Sequence, residues 1–86
     1  MNIEFSNFAW EDFTYWIEND KDMVLKIKEL LKSIKQDPFK GIGKPEPLKF
    51  GLKGYWSRRI NDEHRLIYRV TDVQIEVVKC YGHYFD

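Results

Sequence analysis

The 86-residue chain has one cysteine, Cys80, so no internal disulfide is open to it. Its first residues do not read as an apolar signal segment, and its longest apolar runs are only a few residues. That argues against export and against a membrane span, and a reducing cytoplasm is the expected compartment. Net charge is missing too, because 14 Lys and Arg balance 14 Asp and Glu. A chain so balanced does not coat nucleic acid.

The balance hides a polarity. Residues 1–37 hold eight acids and five lysines, whereas residues 38–86 hold nine basic residues and six acids. All four arginines (Arg58, Arg59, Arg65 and Arg69) fall within twelve positions. This concentration points to a local anion site, although a solvated strand face accounts for charge alone equally well.

Familiar catalytic constellations are absent as well. The stretch GIGKP (41–45) has Pro38 where a phosphate-binding loop requires Gly, and Pro45 where it requires Ser or Thr. Cys80 and His83 have a metal-like spacing, but only His64 remains as another soft ligand, so a zinc site is not expected. Ser57, inside WSRRI, lacks the sharp turn of a serine hydrolase.

What is present is the material of one small globular domain spanning residues 1–86: 43% of the chain is hydrophobic and 16% of the chain is aromatic. NIEFS (2–6) reads as a strand with Ile3 and Phe5 on one face. Ser6 can cap a helix over roughly 7–19, in which Ala9, Phe13, Trp16 and Ile17 recur at helical spacing. Asp20 can cap a second helix whose apolar stripe is Met23, Val24, Ile27, Leu30, Leu31 and Ile34, stopped by Asp37-Pro38. Residues 38–53 hold all three prolines and, with Gly54 just beyond, four of the five glycines. Such a long irregular connection inside a small domain is often functional.

Three strand patterns follow: GYWSRRI, HRLIYRV and VQIEVVKC. A turn at Thr71-Asp72 would pair the last two and set Leu66, Tyr68 and Val70 beside Val73, Ile75 and Val77 on a core face. Trp56 and Ile60 would point inward, and Arg58 would snorkel at the edge. His64 has core parity, and Trp10 and Trp16 are expected to pack. The fold class is therefore α+β, in the order β-α-α-β-β-β: an antiparallel sheet with two helices on one face. Its other face is open and bears Tyr55, Ser57, Arg59 and Arg65.

In GKPEPLKF (43–50), Glu46 stands between Pro45 and Pro47, which confine its backbone before folding. With Arg59, Arg65 and His83, and with Lys49 and Tyr84 nearby, it makes a set that lacks its own nucleophile. RNA brings one, the 2′-hydroxyl. Cleaving RNA needs a base, an acid and cations for the phosphate, roles open to carboxylate, imidazole and guanidinium. Taken singly, each residue has a plainer reading: a solvated loop acid, an Arg65–Glu76 cross-strand pair, or a tail histidine without a role.

The run GIGKPEPLKFGLKGYWSRRINDEHRLIYRV (41–70), the closing KCYGHYFD, the YW pair of the first helix and the DPF after the second resemble the YoeB/Txe toxins of the RelE superfamily. The resemblance runs the whole length of the chain. It implies a RelE-like, microbial-RNase-like fold and a ribosome-dependent endoribonuclease that cuts messenger RNA in the A site. It also implies a YefM/Phd-type antitoxin as partner, operator DNA bound only through that complex, a permitted homodimer, and neither metal nor cofactor. Matched position by position, it makes Glu46 the general base, His83 the general acid and Arg65 the phosphate-stabilising cation. Lys49, Arg59 and Tyr84 fall on substrate-binding positions, and YGHY matches a region that moves or orders with the antitoxin.

Two departures are the added Phe85-Asp86 and the neutral overall charge, so free RNA is expected to be a poor substrate. The rival readings are a non-catalytic, ParE-like inhibitor of DNA gyrase and a bare RNA- or protein-binding module of the same fold. Glu46 and His83 speak against the first.

Overall fold

Ser6 ends the first strand and opens the first helix. In the computed structural model, which describes residues 1–83, the Ser6 hydroxyl accepts the Ala9 N–H at 3.0 Å, satisfying a first-turn donor. β1 is thus Asn2–Phe5 and α1 is Asn7–Asn19. Asp20 serves both helices. Its backbone N–H closes α1 on the Trp16 carbonyl at 2.8 Å, and its side chain accepts the Asp22 and Met23 N–H groups that open α2 (Lys21–Gln36).

Along α2, Met23, Ile27, Leu30 and Ile34 are buried, with Val24 and Leu31 flanking them. Each of these aliphatic side chains contributes on the order of 1.5–3 kcal/mol by leaving water. In α1, Ala9, Phe13 and Trp16 meet the core, but Ile17 is 46% exposed. One residue is a rotation of about 100°, and Trp16 holds the inward slot by donating Nε1–H to the Cys80 carbonyl at 2.8 Å. Trp10, expected to pack, is 53% exposed and meets Phe5 and Phe13 only along one side.

The remaining strands are β2 (Glu46–Pro47), β3 (Tyr55–Arg59), β4 (Arg65–Val70) and β5 (Gln74–Lys79), in the spatial order β1-β5-β4-β3-β2. The sheet is antiparallel except for β1, which runs parallel to β5. Within the irregular connection, β2 is an unexpected edge strand. Its prolines are tolerated because an edge has one side without ladder bonds.

The last hairpin turns one residue later than expected. Thr71 N–H donates to the Gln74 carbonyl at 2.9 Å and Val70 pairs with Ile75, leaving Asp72-Val73 as the loop. The Thr71 hydroxyl accepts the Val73 and Gln74 N–H groups and pins it there. Val73 is accordingly exposed, while Leu66, Tyr68, Ile75 and Val77 form the buried face.

Arg58 does not snorkel. Its side chain is wholly buried and fully used. Nε donates to the Tyr68 hydroxyl at 3.1 Å. Nη1 donates to Ser33 Oγ at 2.7 Å and the Ile42 carbonyl at 3.1 Å, and Nη2 to the Asp37 and Lys40 carbonyls at 2.8 and 3.0 Å. One guanidinium thereby ties residues 37–42 to β3. The next step of the same loop is fixed by Arg59 N–H, which donates to the Gly43 carbonyl at 2.6 Å.

Candidate active site

Residues directly opposite in a ladder share a face. Glu46 lies opposite Ser57, and Arg59 opposite Arg65. Trp56 and Arg58, opposite Tyr68 and Leu66, occupy the other, helix-covered face. Glu46, Ser57, Arg59 and Arg65 therefore point away from the helices. Together with Lys44 and His83 they line a groove of about 320 Å³.

Each side chain is delivered by a different device. Glu46 is exposed on β2, and its strand is anchored by buried Leu48, whose N–H donates to the Tyr55 carbonyl at 2.9 Å. Arg65 is only 6% exposed. Its Nη1 donates to the carbonyls of Asn61, Asp62 and His64 at 2.7, 3.3 and 3.2 Å, so the preceding turn orients the guanidinium. Arg59 is half exposed, with Asp62 at 4.0 Å, a contact too long and too wet to hold it firmly.

His83 arrives on a fastened segment. Cys80 N–H donates to Asp12 Oδ2 at 2.9 Å, Arg65 N–H to the Gly82 carbonyl at 2.9 Å, and Lys79 Nζ to the His83 carbonyl at 2.6 Å. Burial raises the Asp12 carboxyl above its ordinary value, against the opposing pull of that Cys80 N–H and of Lys79.

Cys80 is no nucleophile. It is fully buried, and desolvation pushes its thiol up to about 12. The cross-strand partner of Glu76 is Arg69, at 2.5 Å, rather than Arg65. Hydrogen bonds from Gln74 and then Arg69 lower the Glu76 carboxyl, and Arg65 remains with the groove. Among the described residues, no three His, Cys, Asp or Glu side chains converge to hold a metal ion. Three cations facing a single carboxylate suit an anionic ligand.

Of the site residues expected from sequence, Glu46, Arg59, Arg65 and His83 meet in the groove, and Lys49 is not among its lining residues. Lys49 instead leads into a 3₁₀ turn over Phe50–Leu52. Tyr84 lies outside the described residues. Two lining residues went unselected. Lys44 lies just before β2 at φ +52°, outside any strand alternation, whereas Ser57 shares the outward parity of Arg59. Strand alternation already sets Ser57 on the open face, but no periodic signal marks Lys44.

Residues 5–84 match the profile of the YoeB-like toxin of bacterial type II toxin-antitoxin systems. The chain belongs to this family. It is 51% identical to Toxin YoeB of Escherichia coli K12 over 84 residues, covering 98% of this chain and 100% of that one. Among solved structures it is similar to the YoeB dimer of Staphylococcus aureus, with 56% identity, a TM-score of 0.91 and 98% of each chain covered. The toxin in the heterotetrameric YoeB-YefM complex of Staphylococcus aureus is equally near, with 56% identity, a TM-score of 0.90 and 98% of each chain covered. The matched range includes the groove strands and the loop that bears Glu46. No helix among the described residues is long and apolar enough to cross a membrane.

Proposed function

We propose that this toxin is a metal-independent endoribonuclease that acts on messenger RNA in the ribosomal A site and so arrests translation. The observation that carries the reading is the groove itself, in which one carboxylate, one imidazole and three cations meet on the open sheet face. Glu46 takes the proton of an RNA 2′-hydroxyl, and the resulting oxyanion attacks the adjacent phosphorus. Charge growing on the phosphoryl oxygens is met by Arg65, whose orientation the 61–64 turn sets in advance, with Arg59 beside it, while Lys44 helps hold the phosphate in the groove. His83 protonates the departing 5′-oxygen, leaving a 2′,3′-cyclic phosphate and a free 5′-hydroxyl. The prolines flanking Glu46 reduce what must be ordered on binding, and this places the base before the substrate arrives.

A neutral protein gains little from the RNA backbone alone, so affinity is borrowed from the ribosome. The open cationic groove also suits its silencing partner, a YefM/Phd-type antitoxin segment with acids and apolar anchors that folds on binding. The Staphylococcus aureus toxin is found both with YefM and as a dimer. The same two assemblies, formed in the cytoplasm by a single-domain toxin, are proposed here, with operator DNA bound only through the antitoxin.

The test is to incubate the protein with programmed ribosomes and map RNA ends. A cut within the A-site codon is expected. Glu46→Gln and His83→Gln should each lower kcat by about 10²–10⁴, the range for general acid–base groups. Absence of a cut, or full activity in both variants, overturns the reading.

A further inference from the structure

His64 is not an ordinary core histidine. Its Nδ1 accepts the Gly82 N–H at 2.8 Å, while the next residue, Arg65, donates its own N–H to the Gly82 carbonyl at 2.9 Å. Two consecutive residues thus hold both polar groups of Gly82, the residue immediately before His83. Gly82 has φ +76°, a conformation that suits glycine, and an added Cβ there would meet nothing within 4 Å. The clamp, rather than crowding, shapes this bend.

The imidazole is itself immobilised. Its ring lies 4.8 Å from the Trp16 ring and 4.8 Å from that of Tyr81, and these two stack on each other at 5.2 Å. Asn61 Oδ1 accepts the His64 N–H at 2.8 Å, and the His64 carbonyl accepts Arg65 Nη1 at 3.2 Å. An Nδ1 that accepts must carry a lone pair, so the proton of the neutral ring sits on Nε2.

We infer that His64 is a positioning residue for the cleavage proposed above: its neutral, Nε2-protonated imidazole fixes the Gly82 peptide and thereby sets where His83 enters the groove. The inference rests on that reading. Mispositioning a reacting group by about 1 Å can cost on the order of 10² in rate.

The test compares His64→Phe, which keeps a packed ring without an acceptor, with His64→Asn, whose amide oxygen can stand where Nδ1 stood. On programmed ribosomes His64→Phe should lower kcat about 10- to 100-fold with KM changed less than about twofold, and His64→Asn should restore most of the loss. In a His83→Gln background, His64→Phe should have no further effect, because the two act through one proton transfer. Nitrogen NMR of the unaltered protein should show His64 protonated at Nε2 and the Gly82 amide protected from exchange, a readout that does not depend on any variant folding. Wild-type kcat in His64→Phe, an additive loss with His83→Gln, or a proton on Nδ1 overturns the inference. If the unaltered toxin cuts no RNA, the ribonuclease reading fails, and exchange and tautomer alone then decide whether His64 holds the tail.

Discussion

Arg58 Nε donates to the Tyr68 hydroxyl at 3.1 Å, and neither side chain retains any exposure. The hydroxyl passes the chain on, donating to the Pro38 carbonyl at 2.6 Å. A charge is thus placed in the core because five acceptors surround it, four of them in or beside the loop that leads to Glu46. Stability and site geometry share this one guanidinium.

Replacing Arg58 should therefore be severe. Arg58→Met leaves the Asp37, Lys40 and Ile42 carbonyls without their donor, each costing about 1–3 kcal/mol if it stays buried. A loss of roughly 3–5 kcal/mol is expected in urea unfolding, a large part of the total stability of a domain this small. Tyr68→Phe removes two hydrogen bonds, one accepted from Arg58 and one donated to Pro38, and should cost about 1–3 kcal/mol. Equal midpoints for Arg58→Met and the parent would show that the cage does not hold the loop.

Gly43 offers a test of the loop from its backbone side. Its φ is +82°, and a Cβ there would lie 2.6 Å from Leu30 Cδ2 and 3.1 Å from the Arg59 carbonyl oxygen. Leu30 is fully buried in α2, so it cannot swing out of the way. Gly43→Ala should destabilise by about 1–3 kcal/mol through strain and displacement together. It should also lower cleavage, because Glu46 follows three residues later; unchanged stability and activity would refute the close packing.

The sequence carried much of this architecture and misjudged the rest for identifiable reasons. The α2 stripe and the alternation of Leu66, Tyr68, Ile75 and Val77 are periodic, and periodicity survives without knowledge of partners. Arg58 was misplaced because its acceptors are loop carbonyls, which every residue has and which no spacing distinguishes. β2 was hidden by Pro45 and Pro47, read as breakers where the sheet edge accepts them. Val73 looked like a core residue until the Thr71 hydroxyl fixed the turn around it. At the site, Glu46, Arg59, Arg65 and His83 were selected by chemistry and resemblance, and Lys44 and Ser57 were passed over because a lysine and a serine without a motif give no chemical signal.

Cys80 makes a pH-dependent prediction. Burial raises its thiol from an ordinary 9.0 to about 12, and burial likewise raises the Tyr68 hydroxyl above 10.0. The fold thus favours both neutral forms. Their contribution is complete below the unfolded-state values and is lost as pH rises through the folded ones, a window of about pH 9 to 12 for Cys80. The urea midpoint should fall between pH 8 and pH 10.5, and less so in Cys80→Ala. Iodoacetamide at pH 8 should label the unfolded chain and spare the native one; rapid native labelling would contradict the burial.

Lys44 separates binding from chemistry in the groove. It lines the same cavity as Glu46 and the two arginines, but its ammonium is a flexible point charge, without the carbonyl-braced orientation of Arg65. Such a group attracts phosphate about equally in the ground state and the transition state, which is uniform binding. Lys44→Ala should therefore raise KM about three- to tenfold and leave kcat within about twofold, whereas His83→Gln should do the reverse. Because one phosphate contact is removed, the dependence of log affinity on log salt should flatten by about 0.7 for a single strand. A kcat loss comparable to that of His83→Gln, with KM and salt slope unchanged, would move Lys44 from substrate capture into the cleavage step.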